Sequence, residues 1–350
     1  MNKIPVGVLG ATGMVGQTII QLLENHPWFE VTEVAASERS AGKSYAEAMA
    51  NRWNITPEIP EYARDLMLKE AKPDLDCKIA LSALDSSVAL EIEREFAQAG
   101  YAVSSNSKNH RMDKDVPLLI PEINADHVDL IKIQQKNRKW KGFVVTDPNC
   151  STIHMCIPLK ALLDSFGLEK VMVTTLQAVS GAGYPGVPSM DITDNVLPFI
   201  REEEEKLQTE PLKILGKFSG QEIKNAKFAI SATCNRVAVK YGHTECLSVK
   251  LSKKATREEI ISSFKKFNPL ASLKLPSAPK HPIIYNDAEN RPQPKLDANL
   301  EGVMASVVGR LRECTILDYK FTVLGHNLIR GAAGAAVLNA ELLKVKGYLE

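Results

Sequence analysis

Apolar residues open the chain as a short unbroken run, Ile4 to Leu9, followed directly by Gly10-Ala11-Thr12-Gly13-Met14-Val15-Gly16. Val15, Ile19, Ile20, Leu22 and Leu23 then recur at helical spacing until Asn25-His26-Pro27 stops the pattern. Phe29 to Ala36 reads as a second strand, so residues 1–36 predict a β-α-β unit. Lys78 to Leu84 predicts a further strand, Val88 to Ala99 a helix, and Tyr101 to Ser105 a strand after Gly100. Phe143-Val144-Val145-Thr146 supplies a last strand, which Pro148 ends. Alternation of this kind implies a parallel, doubly wound sheet of the Rossmann type.

The pattern changes after Cys150. Ile153 to Phe166 reads as a helix, and Val171 to Val179 as a long β-branched strand. Further strands are expected at Phe228–Ile230, Arg236–Val239, Glu245–Leu251, Val303–Arg310 and Asp318–Leu324. Strands outnumber helices here, which predicts an α+β domain with a mixed sheet and helices on one face. Residues 267–298, rich in Pro, Lys and Asn, read as a surface excursion. Gly331 to Leu343 reads as a helix whose small residues permit close packing back against the first domain. The expected division is therefore 1–149 with 331–350 as a nucleotide-binding domain, and 150–330 as a catalytic and dimerisation domain.

Composition narrows the partners. A chain of 350 residues suits two domains, and 44% hydrophobic with 24% charged residues is ordinary for a soluble globular protein. The formal charge is +1, and basic residues form only short clusters such as Lys136-Asn137-Arg138-Lys139, so nucleic acid is not expected as a partner. No apolar run approaches the roughly 18 residues that span a bilayer, and Met1-Asn2-Lys3 leads straight into the first strand. Six cysteines without CxxC or zinc-like spacing suit a reduced, cytoplasmic setting with no metal, Cys77, Cys156, Cys234, Cys246 and Cys314 being read as buried small hydrophobes.

Three stretches carry chemistry. In the glycine turn, Gly10 allows the tight bend, Gly13 lets the backbone approach a pyrophosphate, and Gly16 lets the helix sit close to the sheet. The N–H groups of Thr12, Met14 and Val15 then face phosphate oxygens at a positive helix end. At the end of the second strand, Ser37, Arg39, Ser40 and Lys43 offer donors and positive charge for the 2′-phosphate of NADP, with Glu38 the one dissenting residue. The third stretch is Asp147-Pro148-Asn149-Cys150-Ser151-Thr152. A thiol there, between a strand end and a helix N-terminus, has N–H groups nearby to stabilise a thiolate and an oxyanion. Such a nucleophile needs a proton-transfer partner. Of seven histidines, His243 follows Tyr241-Gly242 where a strand breaks, which gives it only a modest edge over His154 or His326.

These motifs, with Gln177-Ala178-Val179-Ser180-Gly181-Ala182-Gly183, Asn235-Arg236-Val237, His243 and Arg330-Gly331-Ala332-Ala333-Gly334, resemble aspartate-β-semialdehyde dehydrogenases along the whole chain. Ser104 to Arg111 and Val116 to Glu122 are similar to the archaeal and fungal branch. The resemblance implies a fold like that of glyceraldehyde-phosphate dehydrogenase and NADPH-dependent reduction of β-aspartyl phosphate, on the route to lysine, methionine and threonine. It implies Cys150 as nucleophile, His243 as acid–base group, Gln177 as the group orienting the thioester, and Arg236 as partner of the substrate carboxylate. It places the glutamate for the substrate amine within Glu202 to Glu205, with Glu204 as the expected member, and Asn109, Arg111 and Lys206 on the phosphate side. Asn327 and the glycines after Arg330 are expected near the nicotinamide, and a homodimer or homotetramer is the expected assembly.

Two alternatives stay open at this stage. A malonyl-CoA reductase shares the cysteine chemistry, although Asn149-Cys150-Ser151-Thr152 follows the semialdehyde-dehydrogenase pattern. A silent NADP-binding sensor would need none of the joint geometry of Cys150, Gln177, Arg236 and His243.

Overall fold

The computed structural model describes residues 2–349, which fold around two sheets. The first holds six parallel strands: β1 (Ile4–Leu9), β2 (Phe29–Ala36), β3 (Leu68–Glu70), β4 (Ile79–Ser82), β5 (Ala102–Ser105) and β6 (Phe143–Thr146). Their spatial order is β3-β2-β1-β4-β5-β6. This is the dinucleotide-binding order, with a crevice at the strand ends where the winding reverses between β1 and β4. Every residue of β4, β5 and β6 is buried, which is why these strands read as unbroken runs rather than as alternating patterns.

The second sheet is mixed and seven-stranded. It contains β7 (Leu168–Ala178), β8 (Val196–Leu197), β11 (Ala229–Val237), β12 (His243–Leu251), β13 (Ile283–Asn286), β14 (Ser306–Glu313) and β15 (Tyr319–Gly325), in the order β13-β14-β15-β12-β7-β11-β8. The short strands β9 (Lys217–Phe218) and β10 (Ile223–Lys224) form a separate hairpin. Central β7 runs parallel to β11 and antiparallel to β12. Burial alternates along β7 and β12. One face packs under the Cys150–Phe166 helix, while the other leaves Met172, Leu176 and Cys246 exposed.

Four expectations change. The strands expected at Phe228–Ile230 and Arg236–Val239 merge into one, β11 (Ala229–Val237), because the small and β-branched residues between them continue the pleat. The last helix runs Gly334–Val345, after a wide turn at Ile329–Ala333, and buries Val337, Leu338 and Leu342 against Val6, Ile19 and Val145 of the first core. Residues 267–298 are not a mere surface excursion. Leu270 and Leu275 enter the first core, Ser277 N donates to Glu341, and Ile283–Asn286 becomes the edge strand β13. Of the cysteines read as buried, Cys156 and Cys234 are; Cys77 and Cys314 are partly exposed, and Cys246 lies on the open sheet face because its position on β12 points away from the helices. Among the described residues no helix is long and apolar enough to cross a membrane.

Candidate active site

A cleft of about 1090 Å³ opens at the crevice between β1 and β4. Gly10, Thr12, Gly13, Met14 and Val15 line it beside Ser37 and Arg39. Gly10 has φ +73°, and a Cβ there would lie 2.5 Å from the Ala83 carbonyl oxygen. A Cβ at Gly16 would lie 2.4 Å from the Gly10 carbonyl oxygen, so the helix can approach this closely only through glycine. The 37–43 loop departs from expectation. It turns back on itself through Ser40 N to Ser37 O, which buries Ser40 and carries exposed Lys43 away from the cleft lining. Arg52 and Lys72 line the cleft instead. Lys72 pairs with Glu70 at 2.5 Å, whereas Arg39 and Arg52 have no ion-pair partner among the described residues. Open glycine backbone at a helix N-terminus, with two unpaired guanidinium groups along the wall, fits a dinucleotide carrying an extra phosphate.

Cys150 stands where β6 ends and the Cys150–Phe166 helix begins. Asn149 caps that helix, its Oδ1 accepting from Ser151 N at 3.0 Å and Thr152 N at 3.2 Å. These N–H groups are therefore engaged by the cap, not left free for an oxyanion as the sequence suggested. Two glutamates of the Glu203–Ile214 helix clamp the loop from one face. Asn149 Nδ2 donates to Glu203 Oε1 at 2.7 Å, and Asn149 N donates to Glu210 Oε2 at 2.8 Å. Seven residues, two helical turns, separate the two carboxylates and place them on the same side.

That geometry corrects the register of the acidic run. Glu204 is exposed and accepts from Cys234 N at 3.0 Å, whereas Glu203 is buried at the site with Lys206 Nζ 3.2 Å from its other oxygen. Arg111 is tied down on the same side of the site. Its guanidinium donates to the Glu210 carboxylate at 3.0 Å and to the Asn106 carbonyl at 2.9 Å, and its charge reaches Cys150. Asn109 ties its loop to Ser86 O at 3.0 Å, and Lys206 donates to Glu203 on the acidic face of the site.

His243 opens β12 after Gly242, whose φ of +95° makes the break that the sequence suggested. Its Nε2 lies 3.1 Å from Cys150 Sγ, and its Nδ1 accepts from Ala178 N at 3.0 Å. Arg236 lies opposite Gln177 in the β7–β11 register and donates to the Ala178 carbonyl at 2.9 Å. Gln177 is buried on the same face, 3.3 Å from Thr175 Oγ1. Glycines let the walls close. A Cβ at Gly181 would sit 2.8 Å from Arg236 Nη1, and one at Gly331 would sit 2.7 Å from Cys150 Cβ. Asn327 is not in the cleft lining; it joins Gly242 N and Ser180 Oγ, each at 2.9 Å, and so braces the two turns beside His243.

The electrostatics are those of a dry site. Burial, and then the Glu203 carboxylate, push the Cys150 thiol up to about 12, with Arg236 opposing them. Burial and then Arg236 hold the His243 imidazole well below its ordinary value. Glu245, two residues along the same face of β12, is fully buried, and burial raises its pKa well above the usual range, with the Ser151 side chain opposing it. His154 and His326, the other candidates, make no hydrogen bond to Cys150. His154 meets Ser306 Oγ at 2.9 Å, and His326 accepts from Leu328 and Ile329 N–H groups.

Comparisons with known proteins identify the family. Residues 5–131 match a semialdehyde dehydrogenase NAD-binding domain, and residues 159–330 match a semialdehyde dehydrogenase dimerisation domain. The aspartate-semialdehyde dehydrogenase of Archaeoglobus fulgidus is 50% identical over 342 residues, covering 97% of this chain and 98% of that one. The chain belongs to the aspartate-semialdehyde dehydrogenase family. The enzyme of Candida albicans is 44% identical over the full length of both chains. Its crystal structure with NADP superposes with a TM-score of 0.90 at 42% identity, covering 99% of this chain and 100% of that one. A second aspartate semialdehyde dehydrogenase structure, from Vibrio cholerae and complexed with ASA, has a TM-score of 0.78 at 27% identity, with coverage of 99% and 100%. The CoA-reductase alternative finds no support among these relatives.

Proposed function

We propose that the chain catalyses the NADPH-dependent conversion of β-aspartyl phosphate to aspartate semialdehyde and phosphate through a thioester on Cys150, in the biosynthesis of lysine, methionine and threonine. The observation that carries this reading is the 3.1 Å approach of His243 Nε2 to Cys150 Sγ, in a site that also holds Arg236 and Gln177. Arg236 receives the substrate α-carboxylate, because a guanidinium keeps its charge in a buried site and matches a carboxylate with paired donors. Glu203 receives the α-ammonium group, and Lys206 with Asn109 supports the phosphate. Cys150 attacks the acyl carbon and His243 manages the proton at sulfur, while Gln177 orients the acyl group. NADPH, held by Gly10, Thr12, Gly13, Met14 and Val15 with Ser37 and Arg39, would supply the hydride that reduces the thioester.

The division into 1–149 with 331–350 and 150–330 suits these roles, since the nucleophile starts the second unit and the final helix returns to the first core. A second copy of this chain is the expected partner, as homodimer or homotetramer through residues 159–330, in a cytoplasmic setting. The reading is tested by supplying β-aspartyl phosphate and NADPH and following NADPH loss. Stoichiometric phosphate and semialdehyde are expected; turnover with malonyl-CoA in their place refutes it.

A further inference from the structure

The Glu203–Ile214 helix does more than present Glu203 and Lys206. One and two turns beyond Lys206, on the same stripe, stand Glu210 and Lys213, both buried. A buried ammonium is costly unless every N–H finds an acceptor. Lys213 meets that demand with backbone alone: its Nζ donates to the carbonyls of Arg111 at 2.7 Å, Asp113 at 2.7 Å and Val116 at 2.8 Å. Three such bonds require the ammonium, since a neutral amine has only two N–H groups to give. Burial lowers its pKa to about 8, with Asp113, Asp115 and Glu210 opposing, so the charged form prevails at pH 7.

All three carbonyls belong to the loop that carries Arg111, so Lys213 pins the backbone from which that guanidinium starts. Glu210 holds the other end. One of its oxygens accepts from Arg111 Nη1 at 3.0 Å, and the other accepts at 2.8 Å from the backbone N–H of Asn149, the residue before the nucleophile. Arg111 Nε is buried without a hydrogen-bond partner among the described residues, and the guanidinium charge is among those that favour the Cys150 thiolate. A fixed cation with a donor to spare, acting on the nucleophile, suits the oxygens of a leaving phosphate.

We propose that Glu210 and Lys213 are positioning residues for the phosphate half of the site. Lys213 fixes the backbone beneath Arg111, while Glu210 aims its guanidinium and ties it to the Asn149–Cys150 turn, so that anion and nucleophile are held in one register. This rests on the acyl-phosphate reading above. Neither side chain touches the substrate; both act through Arg111, and Glu210 acts through Asn149 as well.

The reverse reaction, with aspartate semialdehyde, NADP and inorganic phosphate, tests it. Lys213→Met is expected to raise the KM for phosphate about tenfold or more, the scale of one charged hydrogen bond, with the KM values for semialdehyde and NADP within about twofold of wild type. Glu210→Gln turns an N–H donor against Arg111 or against Asn149 N. It is expected to raise the phosphate KM about as much and also to slow alkylation of Cys150, which Lys213→Met leaves within about twofold of wild type. Because both act through Arg111, in an Arg111→Ala background either substitution is expected to change kcat/KM for phosphate by less than about threefold. A Lys213→Met chain that does not fold leaves the Glu210→Gln cycle to decide. All three KM values rising together with a fallen melting temperature, or losses of full size in the Arg111→Ala background, overturn the proposal. Wild-type enzyme that turns over without phosphate overturns the acyl-phosphate reading and the proposal together, whereas a phosphate requirement with additive effects overturns the proposal alone.

Discussion

Cys150 Sγ and His243 Nε2 lie 3.1 Å apart although 93 residues separate them in the chain. The contact crosses from a helix N-terminus to a strand start, and both ends are held: the Asn149 side chain caps the helix, and Ala178 N grips the far side of the imidazole. Replacing Cys150 by alanine removes the nucleophile and leaves the lining of the 1090 Å³ cleft unchanged, since Cys150 is not part of it. Turnover is expected to fall on the order of 10⁶-fold, while NADPH affinity measured by fluorescence titration stays within about twofold of wild type.

Glu203 and Glu204 differ in one respect that separates them experimentally: only Glu203 is buried beside Asn149. Glu203→Gln is expected to lower kcat/KM by about 2–5 kcal/mol of lost recognition, the range for removing one partner of a buried charge pair. Glu204→Gln weakens its hydrogen bond to Cys234 N and is expected to cost at most about 1 kcal/mol of stability, with kcat/KM nearly unchanged. Comparable losses in the two variants contradict the register assigned here.

Arg39 lines the cleft and Lys43 does not. Arg39→Ala is therefore expected to reduce the preference for NADPH over NADH by about ten- to a hundredfold, the scale of one charged hydrogen bond. Lys43→Ala is expected to leave that preference unchanged. Steady-state kinetics with both nucleotides separates the two, and an effect at Lys43 as large as at Arg39 refutes the placement.

Gly331 packs so near Cys150 that a methyl group has no room, with Cys150 Cβ 2.7 Å and Cys150 Cα 3.2 Å from the added carbon. Gly331→Ala is expected to displace the nucleophile and reduce kcat about a hundredfold, as a shift of around 1 Å does in a positioned site. Alkylation of Cys150 followed by mass spectrometry is expected to slow in parallel.

Glu245 links the site to stability. Burial holds its folded-state pKa well above the ordinary carboxyl value, so the folded protein keeps a proton that the unfolded chain gives up. Its contribution is fully present below the ordinary glutamate pKa of about 4.3, and it is lost as pH rises through the folded-state value. Glu245→Gln removes this dependence. The melting temperature of the variant, relative to wild type, is expected to rise with pH between 5 and 8; a difference that stays flat or falls contradicts a buried neutral acid.

The parallel sheet is legible in the sequence because strands buried on both faces read as short apolar runs, as in β4 to β6. Cys150 is legible for a related reason, since Pro148 ends a strand and Asn149 caps a helix at once. His243 is not separable from His154 or His326 by local pattern; the pairing of β12 with β7, a long-range event, is what brings Ala178 N and Cys150 to it. Four successive glutamates look alike in sequence, but each step turns about 100° around the helix, and only Glu203 turns toward Asn149. The 37–43 loop reads as basic throughout, and only its backward turn separates Arg39 from Lys43. Residues 267–298 mislead because two leucines among many polar residues are enough to dock a strap on the first core.

The covalent, phosphate-linked reaction is tested most directly in reverse, by adding aspartate semialdehyde and NADP with and without inorganic phosphate. NADP reduction that requires phosphate, and that disappears in Cys150→Ala, is the result expected. Reduction at full rate without phosphate, or rate that survives loss of Cys150, contradicts the account.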